Sequence, residues 1–147
     1  MIRLRRRARG ERGKEIRQMY ISVVTLFVED VDRAVEFYTR KIGWEKTMDV
    51  SMGESGRWVT VAPAGKETSF TLSKGSPGWS PEKIGGFTGV IMEVADVYKT
   101  HDELTNKGVE FVDAPRTEPW GGWASFKDSE GNIHGLHSPA PAGAGKG

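Results

Sequence analysis

The chain has 147 residues, enough for one domain or two small modules sharing a core and too few for two large independent domains. Its 21 Lys and Arg stand against 20 Asp and Glu, with 37% hydrophobic residues, which argues against a disordered chain and against a globally basic nucleic-acid binder. The absence of cysteine excludes disulfides, thiolate nucleophiles and Cys-ligated zinc.

Charge is unevenly spread. Residues 1–19 carry eight basic side chains and two acids, so this segment is +6 and the other 128 residues are −5. It reads as a basic flexible arm, the one part of the chain able to touch phosphates or an acidic membrane. No apolar run follows the arginines and no stretch reaches transmembrane length, so the expectation is a cytoplasmic protein without a membrane partner. The Pro-, Ala- and Gly-rich end, residues 139–147, reads as a flexible tail.

From Tyr20 to Val28 the chain is rich in β-branched residues and predicts a strand. Asp32 can cap a helix whose apolar members Ala34, Val35, Phe37, Tyr38 and Ile42 recur at helical spacing, and Gly43 stops it. Three β segments follow near 45–51, 57–62 and 68–73, separated by Gly-bearing turns. The pattern then restarts. A strand over 87–94 leads to a helix introduced by Asp96 and ended by Gly108, and strands over 109–113, 123–127 and 133–137 complete the second copy. The fold class is therefore α+β, with β-α-β-β-β written twice in a single domain over residues 20–138. Its modules span 20–74 and 86–138, and the Gly- and Pro-rich residues 75–85 form the linker.

One helix covers only one face of a small sheet. The uncovered faces can curl together as a cupped mixed sheet around a ligand cavity, if the facing residues are small. Strand alternation puts Val23 with Thr25, Ser69 with Thr71, Gly89 with Ile91, and Gly135 with His137 on such faces.

The string from Val28 to Tyr38, then Ile42-Gly43-Trp44, resembles the opening module of the vicinal-oxygen-chelate superfamily of glyoxalases, bleomycin-resistance proteins and extradiol dioxygenases. Val94-Ala95-Asp96-Val97, Pro119-Trp120-Gly121 and Asp128-Ser129-Glu130-Gly131-Asn132 resemble its second module. The resemblance implies a homodimer, with modules in some members paired across subunits. It also implies four metal-ligand positions in metal-dependent members, which fall here on Val23, Thr71, Gly89 and Gly135. None of these side chains can ligate a metal, and the three histidines, His101, His134 and His137, do not share a face. The expectation is the metal-free branch, with no cofactor.

Metal-free members often bind hydrophobic or aromatic molecules, and this chain supplies Trp58, Phe70, Trp79, Phe87, Trp120, Trp123 and Phe126 as flat surface. Trp79 stands out in a Gly/Pro linker, and Trp120 and Trp123 flank Gly121-Gly122. Hydrogen bonds to an uncharged ligand can come from Tyr20, Thr25, Ser69 and Thr71. Glu93 shares the alternation of Gly89, and a buried Glu93 with His137 would form a proton-transfer pair. The expected ligand-binding set is thus Thr25, Trp58, Ser69, Thr71, Trp79, Gly89, Ile91, Trp120, Trp123 and Gly135, with Glu93 and His137 as catalytic candidates. Asp30, Asp32, Asp96, Asp128 and Asn132 read as caps and turn residues. Three functions stay open: a binding protein for a hydrophobic or aromatic small molecule, extending to antibiotic or natural-product sequestration; a metal-free isomerase, cyclase or lyase in the same cavity; and a protein-interaction module.

Overall fold

The computed structural model describes residues 18–140, so the basic arm and the tail lie outside the described residues except at their inner ends. Two four-stranded mixed sheets carry the fold. The first runs β1 (Val23–Phe27), β2 (Glu45–Ser51), β3 (Arg57–Ala62) and β4 (Ser69–Ser73), arranged β1-β4-β3-β2. The second repeats that order as β5-β8-β7-β6, with β5 (Gly86–Glu93), β6 (Phe111–Glu118), β7 (Gly121–Lys127) and β8 (Asn132–Ser138). In each sheet the first and last strands pair in parallel and the other pairs are antiparallel. No helix among the described residues is long and apolar enough to cross a membrane.

The first helix departs from its predicted form. Asp30, not Asp32, is the cap: in extended conformation it accepts the amide of Arg33 at 2.9 Å, while Asp32 pairs with Arg57 at 3.0 Å. Helix α1 (Val31–Glu36) has only six residues and widens into a π turn over Phe37–Lys41, closed by the Ile42 amide on the Phe37 carbonyl. The widened turn carries two consecutive buried aromatics, Phe37 and Tyr38. Helix α2 (Val97–Asn106) is capped by Asp96 as predicted. Strand β6 begins later and runs longer than the sequence suggests, through Pro115. It is the sheet edge, where the missing N–H of a proline is tolerated, and two register shifts absorb the irregularity.

The helix-bearing faces of the two sheets meet. Leu26, Val61, Phe70 and Leu72 from the first module join Ala124, Phe126 and Leu136 from the second in one core, with Phe70 stacked on His134 at 5.3 Å and Phe37 on Phe126 at 6.5 Å. Phe70 and Phe126 are thus buried members of this core, and both also line a cavity between the modules. Emptying so packed a site is costly, and Phe126→Ala is expected to lower stability by about 3–5 kcal/mol in urea titrations. The two sheets stay separate in hydrogen bonding, and residues of both modules, Ser69 and Phe70 with Ile91, Glu93 and Leu136, line this cavity of about 900 Å³ between them.

Polar groups stitch the modules together. The Tyr38 hydroxyl donates to Asp128 at 2.8 Å and lies 2.7 Å from His134 Nε2, while His134 Nδ1 lies 2.8 Å from the Thr88 hydroxyl. Since Tyr38 spends its proton on Asp128, it accepts from His134 Nε2–H, and the Thr88 hydroxyl proton is shared between His134 Nδ1 and the Ile133 carbonyl at 3.0 Å. Burial holds the His134 pKa down at about 4, raises the Tyr38 phenol, and raises Asp128 against the hydrogen bonds it receives.

The Glu130 carboxylate crosses the same boundary. It accepts the amides of Glu29 and Asp30 at 3.0 and 2.8 Å and pairs with Arg33 at 2.7 Å, a cap for α1 supplied by the other module. Burial alone would raise its pKa, but Arg33 and the Asp30 amide together hold it below the usual range. A depressed carboxylate stabilises the fold above its unfolded pKa and loses that contribution as pH falls. Glu130→Ala is expected to cost about 1–2 kcal/mol at neutral pH, as for a lost helix cap, read as a lower urea midpoint.

Candidate functional site

Register assembles the outer faces. Thr25 sits beside Thr71 and Val23 beside Ser69 across β1 and β4, and Thr60 of β3 lies between Thr71 and Met48 of β2. Trp58 is paired with Val50 on the same face. The first module's outer face is therefore a band of hydroxyls bordered by Trp58 and by exposed Met48 and Val50. Thr60 and Thr71 are themselves nearly covered: Thr60 is bonded to the Thr47 hydroxyl at 2.6 Å and Thr71 to the Val59 carbonyl at 3.2 Å. Thr25 remains open.

The second module's outer face is aromatic. Ile91 lies beside Gly135, and Glu93 and Trp123 flank His137, so these side chains share one surface. Phe87 lies 6.5 Å from Trp123, Trp123 meets Trp120 edge-on at 6.0 Å, and Trp120 stacks on His137 at 5.9 Å. A cleft of about 540 Å³ opens over this wall, lined by Phe87, Val112, Trp120, Trp123 and Ile133 with Asp113, Arg116 and Ser125. Asp113 is its fixed acceptor, taking the Ser125 hydroxyl at 2.8 Å and approached by the Trp123 indole N–H at 3.5 Å. Phe87 and Ile91 are both more than half exposed, an unusual state for large apolar side chains clustered on one face.

Gly135 explains the position of Trp123. A Cβ at 135 would collide with the Trp123 ring, so the indole lies flat over this residue because no side chain stands there. Gly135→Ala is expected to push the ring off the strand, with a red shift and stronger acrylamide quenching of tryptophan emission. Gly89 sits at φ +79° within the register shift of β5, where a side chain would be strained.

The remaining sequence-selected residues separate from this cleft. Trp79 donates its indole N–H to the Val28 carbonyl at 3.0 Å and ties the linker to the end of β1. Thr25, Trp58, Ser69 and Thr71 come from the first module; Ser69 meets Ile91 and Glu93 in the cavity of about 900 Å³ between the modules, and Thr25 meets Phe87 in a smaller one. Glu93 is exposed rather than buried, and its carboxylate meets His137 Nδ1 at 2.7 Å. Asp113, Arg116, Ser125, Val112 and Ile133 were not singled out from the sequence. Val112 and Arg116 lie on irregular β6, whose register shifts break the alternation that would have predicted their facing. Among the described residues no group of three or more His, Asp or Glu side chains is arranged to hold a metal ion.

Comparison with known proteins agrees with this architecture. The chain is similar to two Bacillus subtilis (strain 168) proteins. YurT is 37% identical over 124 residues, covering 78% of this chain and 95% of the relative, and YetH is 32% identical over 113 residues, covering 77% and 92%. Among solved structures it is similar to TnmS3, described as an antibiotic binding protein from Streptomyces sp. CB03234, at 32% identity and a TM-score of 0.72, with 83% of this chain and 97% of that one covered. The family model described as the Glyoxalase/Bleomycin resistance protein/Dioxygenase superfamily matches residues 20–134, the duplicated core just described. The chain belongs to that superfamily, and the lack of a metal-holding group among its described residues is consistent with the metal-free members.

Proposed function

We propose that the protein binds a flat hydrophobic or aromatic small molecule, of the antibiotic or natural-product kind, by stacking and a few hydrogen bonds and without a metal. The observation that carries this reading is the continuous ring surface of Phe87, Trp123, Trp120 and His137, left open beside the Asp113–Ser125 acceptor. Stacking on such a wall is worth about 0.5–1.5 kcal/mol per aromatic pair beyond burial, and one fixed acceptor orients the ligand. The likeness to an antibiotic binding protein supports the same class of ligand.

A wall open to water on one side binds weakly. The hydroxyl-bearing band of the first module leaves the far side of this wall open within the chain, and we infer a homodimer in which the partner covers it. This arrangement gives two equivalent clefts per dimer. Sedimentation velocity is expected to show a dimer, with one ligand per chain by calorimetry. A monomer that binds with full affinity would overturn the shared cleft.

Proton-transfer catalysis finds less support. Both His137 nitrogens are engaged, Nδ1 with Glu93 and Nε2 with the Trp120 carbonyl at 3.0 Å, leaving no lone pair to accept a substrate proton. The test is a panel of planar polycyclic compounds followed by tryptophan quenching and mass spectrometry after long incubation. Saturable quenching with the compound recovered unchanged supports binding. Turnover abolished by His137→Ala or Glu93→Gln would instead establish an enzyme.

A further inference from the structure

His137 occupies an uncommon electrostatic position. Its Nδ1 faces a carboxylate oxygen of Glu93 at 2.7 Å and its Nε2 faces the backbone carbonyl of Trp120 at 3.0 Å. Neither partner has a proton to give, so both ring nitrogens must donate. A neutral imidazole has one N–H and would leave a lone pair aimed at an oxygen. The geometry therefore selects the imidazolium, and the Trp120 indole stacked at 19° to the ring adds cation–π attraction.

The position of this contact gives it a consequence. Trp120 stands at the tip of the β6–β7 hairpin and lines the aromatic cleft. The adjoining Gly121 has φ +131°, and a Cβ there would strike His137 and the Ser138 carbonyl, so the hairpin tip is seated directly on β8. The charged groups around the ring are few. Glu93 comes from β5, Arg116 and Glu118 come from β6 and pair with each other at 2.9 Å, and β7 contributes the uncharged Trp123.

Resting on the binding reading above, we propose that His137 is a positioning residue that makes ligand capture proton-dependent: as an imidazolium it pins Trp120 over the cleft, and on losing its proton it releases the hairpin tip and loosens the aromatic wall. The hydrogen bonds to Trp120 and Glu93 raise its pKa above the ordinary histidine value. A raised histidine contributes fully below its unfolded pKa and loses its contribution as pH rises through the folded one, so the wall is held together on the acid side and loosens as pH rises through the raised His137 titration.

The test uses the neutral dye Nile red as probe, titrated into the full chain from pH 5.5 to pH 9.5, with histidine Cε1–H NMR following His137 itself. Wild-type affinity is expected to fall on the order of tenfold across the His137 titration, the loss of one charge-assisted hydrogen bond. Glu93→Gln keeps an acceptor and removes the charge, so the same step is expected at lower pH. His137→Gln, able to reach one partner but not to titrate, should bind at the weaker level throughout, with no step.

A flat wild-type profile while the NMR shows His137 titrating would overturn the proposal, as would a step that survives in His137→Gln. Should Glu93→Gln or His137→Gln fail to fold, the wild-type profile and the NMR titration still decide it. Should Nile red fail to bind at any pH, the binding reading of the cleft falls. The latch is then judged separately by whether the Trp120 indole N–H resonance moves with the His137 titration.

Discussion

Trp123→Ala is expected to lower the affinity for planar ligands by about thirty- to a thousandfold while leaving the fold intact, because this side chain joins Phe87 and Trp120 into one aromatic wall. It contacts Phe87 on one side and Trp120 on the other, covers Gly135, and points its indole N–H toward Asp113. Central, well-packed aromatics of this kind carry about 2–4 kcal/mol in alanine scans, whereas rim residues carry little. Trp123 is only half-buried and lies outside the main core, so its removal should move the melting temperature by a few degrees at most. Calorimetry with the tightest compound of the panel reads the affinity, and calorimetric melting reads the fold. Trp58→Ala in the first module is the matched comparison: a loss of similar size there would mean the hydroxyl-bearing face, not the aromatic wall, carries the ligand.

Acid should weaken the protein well before its carboxylates are titrated. His134 is wholly buried and its pKa is held at about 4, against about 6.5 in an unfolded chain. For a histidine depressed in the fold, the stabilisation is complete above the unfolded value and is lost as pH falls toward the folded one. Between pH 6.5 and pH 4 the linkage amounts to about 3 kcal/mol. Asp128 works the other way. Its raised pKa means protonation relieves a burial cost, which offsets part of the loss at the acid end.

Urea titrations at a series of pH values are the measurement, with His134→Gln as the comparison. The variant should be about 1–3 kcal/mol less stable at pH 7, because Tyr38 and Thr88 lose a well-placed partner. Its stability should hardly change between pH 6.5 and pH 4.5. An acid slope unchanged in the variant would place the linkage elsewhere.

Much of the architecture was legible in the chain because it is written in local signals. The duplicated β-α-β-β-β order, the cap at Asp96 and the strands over 45–51 and 57–62 follow from turn chemistry and alternation acting within a few residues. The shared facing of Val23 with Thr25, Ser69 with Thr71 and Gly135 with His137 along their strands also follows from alternation, whereas the neighbours across strands, Thr71 beside Thr25 and Glu93 beside His137, come from the folded register. What escaped depends on contacts between distant segments. Phe70 and Phe126 look like any exposed strand aromatic until the other module covers them, and Trp79 gives no sign of its hydrogen bond to Val28.

The same limit applies to the candidate site. Asp113 and Arg116 sit on a strand interrupted by Pro115 and two register shifts, where counting by twos fails. Glu130 reads as part of a turn, although its carboxylate caps a helix about a hundred residues earlier. The turn residues Asp128 and Asn132 are structural, as their place in the turn indicates. Their partners, Tyr38, the Phe27 carbonyl and the Gly85 amide, could be identified only from the folded chain.

Gly135 and Trp123 also constrain how this protein can change. By its resemblance to the superfamily, position 135 is where a metal-dependent relative would carry a carboxylate ligand. Here a carboxylate cannot be restored by one substitution, because the indole already fills the space above the backbone. Shrinking Trp123 first would cost ligand affinity before any metal chemistry existed, and making Gly135→Glu first would drive the ring off its seat. The two positions are therefore coupled: any side chain at 135 and the indole of Trp123 compete for the same space, so a change at one is felt at the other.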